Sequence, residues 1–185
     1  MTASPSGYSR IARRIRVPLG FAFAIVYLWL ARPSGWSIAA SLLVVVPGLW
    51  LRAIAAGHVK KNAELTTTGP YAYTRNPLYL GSVLIAIGFA VAARSLWVGL
   101  VLVALFFAIY IPVIKSEEEF LRATFPEFDS YSARVPRLFP KISADASPGA
   151  FESGLYRRHR EYNALIGALF IYLALIVKLI LISRT

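Results

Sequence analysis

Apolar residues in this chain of 185 residues cluster into five blocks, and polar segments separate the blocks. The blocks span about residues 17–31, 36–56, 77–93, 96–114 and 163–182. A helix of about 20 apolar residues crosses a hydrocarbon core of about 30 Å. Because a backbone exposed to lipid must satisfy its own hydrogen bonds, we predict that each block is a transmembrane helix. The pattern predicts a single all-α integral membrane domain over residues 1–185, a bundle of about five transmembrane helices.

Basic residues concentrate on one side of the predicted bundle. Sixteen of the 20 Lys and Arg residues lie in the N-terminal segment, at the end of the second block, or in the polar segments 57–76 and 115–162. Cytoplasmic loops carry an excess of Lys and Arg, so we predict that the N-terminus and both long segments are cytoplasmic. We expect the membrane to be a bacterial inner membrane. The net charge of +11 thus has a topological explanation and does not indicate a nucleic-acid partner.

The composition also excludes some chemistry. The chain has no cysteine, which excludes disulfides, thiolate metal sites and cysteine nucleophiles. Its histidines and acidic residues are not grouped at the spacing of a metal-ligand set, so we predict no metal site.

The polar segment TTTGPYAYTRNPLYLG, residues 66–81, carries the strongest candidate chemistry. Asn is a preferred N-cap and Pro suits the first helical position, so Asn76–Pro77 predicts the start of the third helix. The free N–H groups of such a start favour an anion. Arg75 stands beside it, tyrosines supply flat faces, and Gly81 lets another group approach the helix. These features suit a small ligand with a carboxylate and an aromatic ring; the alternative is an ordinary interface with an aromatic belt.

The segment KSEEEFL, residues 115–121, places three consecutive acids where the fourth block leaves the bilayer. Ionisable groups at a membrane boundary are costly unless they are solvated or paired, so these carboxylates are candidates for function. A carboxylate here can accept hydrogen bonds from ribose hydroxyls or from an ammonium group. The alternative is a solvated helix end in which Glu118 pairs with Arg122 one turn later.

Two further polar segments carry less specific signals. FPEFDSYSARVPRLFP, residues 125–140, combines aromatic residues, carboxylates and prolines and predicts an ordered loop on the membrane surface. FESGLYRRHREYNA, residues 151–164, predicts an interfacial helix that leads into the fifth block, or a simple basic anchor for that block.

Taken in order, these segments resemble the isoprenylcysteine carboxyl methyltransferase family and its phospholipid methyltransferase relatives. The family pattern is a Gly-x-Tyr turn, an Arg-His-Pro-x-Tyr-x-Gly helix start, an apolar hairpin, Glu-Glu-x-x-Leu, a Tyr and Arg-Val-Pro. The matching residues here are Gly69-Pro70-Tyr71, Arg75-Asn76-Pro77-Leu78-Tyr79-Leu80-Gly81, Glu117-Glu118-Glu119-Phe120-Leu121, Tyr131 and Arg134-Val135-Pro136. The match covers about residues 65–140, which we take as a methyltransferase-like core.

The resemblance implies that the chain binds S-adenosylmethionine in a pocket on the cytoplasmic side and methylates a lipophilic small molecule or lipid. The cofactor contacts that it implies are Leu65, Thr66, Tyr71, Asn76, Pro77, Leu78, Tyr79 and Glu117. For the mechanism we predict a catalytic role for Arg75, Glu118 and Arg134, with Arg75, Lys115 or Arg134 orienting an anionic acceptor. The acceptor atom is open among a carboxyl, an amine and a hydroxyl group.

Two departures from the family pattern affect the expected chemistry. The family's His is Asn76 here, and an amide keeps a donor and an acceptor but does not titrate near neutral pH. The carboxyl-methylating members also carry an Arg shortly before the acidic run, where this chain has Ile-Pro-Val-Ile, residues 111–114. Methyl transfer in general is therefore a better supported expectation than methylation of a prenylcysteine carboxylate. The rival hypotheses are an NADPH-dependent membrane enzyme resembling sterol reductases and a membrane scaffold without activity.

Overall fold

The computed structural model describes residues 23–60, 63–142 and 147–184, and the described chain is helical without β-strands. Helix α1 covers residues 23–30, and the start of the first predicted span lies outside the described residues. The elements that follow are α2 (Gly35–His58), a 3₁₀ helix (Gly69–Ala72), α3 (Pro77–Ala93), α4 (Leu96–Leu105), a π-helical turn (Phe106–Tyr110), α5 (Ile111–Thr124), α6 (Phe128–Arg134), α7 (Ser153–Arg158) and α8 (Tyr162–Ile182).

Within the described residues, three helices are long and apolar enough to cross a membrane, which supports an integral membrane protein. They are Gly35–His58, the continuous helix Leu96–Thr124 formed by α4, the π-helical turn and α5, and Tyr162–Ile182. Each coincides with a predicted span, and α3 has the predicted bounds but is shorter at 17 residues. The helix Leu96–Thr124 extends beyond the predicted span because the acidic run continues it past the apolar residues.

Helices α2 and α3 pack at backbone contact. A Cβ atom added to Gly48 would lie 2.9 Å from the Gly81 carbonyl oxygen, and one added to Gly88 would overlap the side chain of Val45. Small residues let membrane helices approach closely, where van der Waals packing replaces the hydrophobic effect as the source of association. These glycines therefore set the distance between α2 and α3.

Polar contacts tie the other helices to this pair inside the apolar region. The Tyr27 hydroxyl donates to the Phe89 carbonyl at 2.9 Å, and the hydroxyls of Ser41 and Tyr172 lie 2.9 Å apart. The Lys178 ammonium donates to the Trp29 carbonyl at 3.0 Å. The last contact supplies a donor to the carbonyl end of α1, which has no helical partners of its own.

Loops gather at the two ends of the bundle as the charge pattern predicts. At one end the Arg32 N–H donates to the Ala93 carbonyl at 2.8 Å and joins the two short turns. At the other end the Gly69 N–H donates to the Ser147 carbonyl at 2.8 Å, so the two long polar segments share one end. That this end faces the cytoplasm stays a prediction.

The contact between α2 and α3 makes Gly88 intolerant of any side chain. We expect Gly88→Ala to lower the free energy of unfolding by about 1–3 kcal/mol, because the added methyl group overpacks a closed contact. Denaturant titration in mixed micelles measures this. Gly99→Ala is the matched control, since a Cβ at Gly99 meets nothing within 4 Å. Equal stability of the two variants would contradict the described contact between α2 and α3.

Candidate functional site

The start of α3 and the end of the Leu96–Thr124 helix meet through a hydrogen bond. The Tyr79 hydroxyl, in the first turn of α3, donates to the Glu117 carboxylate at 2.8 Å. Glu117 is exposed and Tyr79 is half-buried. These two ends, expected to share a site, therefore lie in contact at the end of the bundle that holds the long polar segments.

An aromatic wall continues from this hydrogen bond into the bundle. The rings of Tyr79 and Tyr110 meet edge to face at 5.5 Å, and Tyr110 stacks on Phe106 at 5.6 Å. Both Phe106 and Tyr110 belong to the π-helical turn, in which the Ile111 N–H donates to the carbonyl five residues earlier. Such turns are frequent at functional sites. This wall was not predicted from the sequence. The available signal was Pro112, because a helical proline disrupts the hydrogen bond to the carbonyl four residues before it.

Asn76 occupies the predicted position before α3, but its side chain does not cap the helix. Its amide nitrogen instead donates to the Arg137 carbonyl at 2.9 Å. The Arg75 N–H donates to the Pro136 carbonyl at 2.9 Å, and the Thr74 hydroxyl donates to the Leu138 carbonyl at 3.0 Å. Residues 74–76, which lead into α3, are thus hydrogen-bonded to residues 136–138, which follow α6.

A buried carboxylate holds the same two segments to α5. Glu118 is 5% exposed, forms an ion pair with Arg75 Nη1 at 3.2 Å and accepts a hydrogen bond from Arg137 Nη2 at 2.7 Å. The alternative pairing of Glu118 with Arg122 is wrong, since Arg122 bonds to Asp129 at 2.8 Å on the exposed face. Buried charges require such partners because desolvation penalises each ion separately.

Two phenols next to this network are hydrogen-bond donors at neutral pH. The Tyr131 hydroxyl donates to the Tyr71 carbonyl at 2.8 Å. Burial raises the pKa of both Tyr71 and Tyr131 well above the ordinary value for a phenol. Both rings therefore stay protonated and neutral around the ion network.

The remaining predicted residues divide between this region and the exposed surface. Leu65 packs against the cluster of Phe128, Tyr131 and Val135, and buried Thr66 accepts from the Lys60 N–H at 3.3 Å. Pro77 is buried at the start of α3, and the carbonyl of Leu78 accepts from Arg52 at 3.2 Å. Lys115 is exposed, and exposed Arg134 bonds to the Ser130 carbonyl of its own helix at 3.3 Å. The structure brings Arg137, rather than Arg134, to Glu118.

The segment 147–152 covers the end of α2 beside the 3₁₀ helix. His58 lies between two backbone oxygens, with Nδ1 2.8 Å from the Ile54 carbonyl and Nε2 3.2 Å from the Pro148 carbonyl. Gly69 adopts a left-handed φ of 58°, and a Cβ there would lie 2.5 Å from the His58 ring. A glycine is required at this turn for both reasons.

Two surface grooves line α8, away from the Tyr79–Glu117 hydrogen bond. One, of about 270 Å³, lies between α2, α7 and α8 and is lined by Val46, Leu49, Trp50, Ala53, Tyr156, Glu161 and Leu165. The other, of about 470 Å³, lies between α1 and α8. Among the residues that the structure describes, no three His, Asp or Glu side chains are grouped as a metal site.

Comparison with known proteins places these helices in a family context. The model of the phospholipid methyltransferase family matches residues 19–127, which include both Tyr79 and Glu117. The nickel-cobalt-cadmium resistance protein NccN of Alcaligenes xylosoxydans xylosoxydans is 33% identical over 109 residues, 59% of this chain and 50% of that protein. The cobalt-zinc-cadmium resistance protein CzcN of Cupriavidus metallidurans is 40% identical over 101 residues, 55% of this chain and 46% of that protein. The chain spans about half the length of these curated relatives, and no solved structure matches it.

The ion pairs predict unequal effects for two acids. We expect Glu118→Ala to lower the free energy of unfolding by about 3–5 kcal/mol, because it leaves the largely buried Arg75 side chain, 13% exposed, without its counter-charge. Asp129→Ala removes an exposed pair and is expected to cost at most about 1 kcal/mol. Denaturant titration of both variants in the same micelles makes the comparison. A loss for Glu118→Ala as small as that for Asp129→Ala would rule out a stabilising role for the network.

Proposed function

Because this chain belongs to the phospholipid methyltransferase family, we propose that it is a membrane enzyme that transfers a methyl group from S-adenosylmethionine to a lipophilic acceptor. The observation that carries the proposal is the contact between Tyr79 and Glu117, which joins two family-matched helices at the polar end of the bundle. The proposed location is a bacterial inner membrane with this polar end in the cytoplasm, where the cofactor is available.

The donor set at this contact fits the cofactor in kind. Glu117 accepts one hydrogen bond from Tyr79, and a carboxylate has further lone pairs for ribose hydroxyls or an ammonium group. Tyr79, Tyr110 and Phe106 form an aromatic wall of the type that packs against a planar base. The Asn76 amide already donates to the Arg137 carbonyl, so we assign it a role in positioning the loop rather than in contacting the cofactor.

The chain's own residues act in this proposal by binding and orientation. When bound, S-adenosylmethionine supplies an electrophilic methyl group. Glu117 holds the cofactor, Tyr79 orients the Glu117 carboxylate, and the helix ends exclude part of the water, so that an aligned acceptor reacts without further rearrangement. Arg75 and Glu118 form an ion pair, and we assign both a positioning role. Exposed Lys115 and Arg134 remain the proposed cations for an anionic acceptor.

Binding of S-adenosylhomocysteine, the demethylated product, tests the site. We expect Tyr79→Phe and Glu117→Gln each to weaken binding about tenfold or more, because a hydrogen bond to a charged group contributes about 1.5–3 kcal/mol. Isothermal titration calorimetry in detergent measures the affinity. Glu119→Gln is the matched control, since Glu119 is an exposed neighbour in the same acidic run. Wild-type protein that is folded yet shows no heat at millimolar ligand would remove the cofactor from the proposal.

Methyl transfer is the second test. We expect radiolabel from methyl-labelled S-adenosylmethionine to enter a lipid-extractable product when the wild-type protein is mixed with a total membrane extract. Glu117→Gln should reduce the incorporation at least about tenfold at a cofactor concentration below its dissociation constant. Identification of the labelled product decides among the carboxyl, amine and hydroxyl acceptors. Incorporation that is equal with and without the protein would exclude this activity.

The same binding assay separates the rival functions. An enzyme resembling sterol reductases binds NADPH in preference to S-adenosylhomocysteine, and a scaffold binds neither. The names of NccN and CzcN associate those relatives with metal resistance, which makes a role in metal resistance a second candidate for this chain. Heat of binding measured by calorimetry with Co²⁺, Zn²⁺ or Cd²⁺ would favour that candidate.

A further inference from the structure

An ion pair joins α2 to α8 at the polar end of the bundle. Arg52 Nη2 lies 2.8 Å from Glu161 Oε2 and 2.9 Å from Oε1, and Arg52 Nε lies 3.1 Å from Oε2. The side chains are 22% and 13% exposed. A bidentate guanidinium–carboxylate pair in this setting is geometrically defined and weakly screened, unlike an exposed surface pair. The only sequence signal for this ion pair was a lone Arg at the end of an apolar block. The pair was not predicted, because Arg52 and Glu161 are 109 positions apart.

The same guanidinium also bonds to α3. Its third nitrogen, Nη1, donates to the Leu78 carbonyl at 3.2 Å and to the Ser82 hydroxyl, which itself donates to the Leu78 carbonyl at 3.1 Å. A Cβ on Gly81 would lie 2.6 Å from Arg52 Cγ, so the glycine provides the space in which the arginine crosses α3. Gly81, which we expected to admit a close neighbour, thus admits Arg52.

Leu78, whose carbonyl accepts from Arg52, lies in the first turn of α3 and immediately precedes Tyr79. A shift of this turn moves the Tyr79 hydroxyl relative to Glu117 on the facing helix.

We propose that Arg52 and Glu161 are positioning residues of the methyl-transfer site. Glu161 holds the Arg52 guanidinium in one orientation, and Arg52 fixes the first turn of α3 and with it the Tyr79 donor. Glu161 and helix α8 lie outside the family-matched residues 19–127, so a residue beyond the matched segment sets the geometry of the family-matched site. This inference rests on the proposed function for its ligand, but its structural step is independent of any ligand.

A charge exchange distinguishes positioning from a simple tie between α2 and α8. In Arg52→Glu combined with Glu161→Arg, the ion pair can form again with reversed charges. A carboxylate at position 52 cannot donate to the Leu78 carbonyl, because an ionised carboxylate only accepts hydrogen bonds. The double variant thus restores the link between α2 and α8 without restoring the bonds to α3.

Three measurements on detergent-solubilised full chain make the test. We expect Arg52→Glu alone to lower the melting temperature, because it places two carboxylates together, and the double variant to recover most of that loss. We expect hydrogen–deuterium exchange of residues 78–82 to remain at least about tenfold faster in the double variant than in wild type, without ligand. The affinity of the double variant for S-adenosylhomocysteine should stay about tenfold weaker than that of wild type. The matched control is the same charge swap in the exposed pair, Arg122→Asp combined with Asp129→Arg. It should leave the melting temperature, the hydrogen–deuterium exchange of residues 78–82 and the affinity unchanged.

Recovery of melting temperature, exchange rate and affinity together in the double variant would overturn the proposal, because it would show that only the link between α2 and α8 matters. Arg52→Lys is the second variant in case the double variant fails to fold. One ammonium can pair with Glu161, but it lacks the planar fork that reaches Glu161 and Leu78 together. We expect it to retain the melting temperature within a few degrees and to show the faster exchange; unchanged exchange would equally overturn the proposal. If wild-type protein binds no S-adenosylhomocysteine, the proposed function fails, and the exchange measurement alone decides the positioning step.

Discussion

The buried carboxylate of Glu118 fixes how three segments meet at the polar end of the bundle. A charge that is almost fully withdrawn from water destabilises the fold unless counter-charges accompany it, and here both come from distant segments. Arg75 precedes α3, and Arg137 follows α6. The end of α5, the approach to α3 and the segment after α6 must therefore meet at one point. Glu117, the adjacent residue, is placed beside Tyr79 by the same convergence.

The membrane-embedded part of the fold depends on a different kind of contact. Gly48, Gly81 and Gly88 bring α2 and α3 together closely enough for Arg52 to reach across α3. Backbone contact in the apolar region and charge pairing at its boundary thus act on the same helix, α3. The result is a helix whose first turn is held by side chains from α2 and whose flanking residues are held by the segment after α6.

The sequence predicted the helices well because apolar block length is a direct measure of span length. The bounds of α3 and the extents of α2 and α8 followed from it. The proximity of α3 and α5 followed from resemblance to a family, not from periodicity. The partner of Glu118 was not predictable from spacing: Arg122 satisfies the helical rule, whereas Arg137 reaches Glu118 only through the turns around α6. Arg52 and Glu161 likewise meet only through tertiary packing.

The π-helical turn at Phe106–Tyr110 has a consequence for how this protein tolerates changes in length. Such a turn amounts to one extra residue in an α-helix, and each residue of an α-helix advances it by about 100°. Deleting a single residue there would return the turn to a regular α-helix and leave the residues after it in nearly the same orientation, so Glu117 and Glu118 would keep their partners. A single deletion elsewhere between Leu96 and Glu117 would instead rotate both carboxylates away by about 100°. Homologous chains that keep both contacts are therefore expected to place single-residue gaps at this turn and not elsewhere in the helix, even where the membrane-facing side chains have diverged freely.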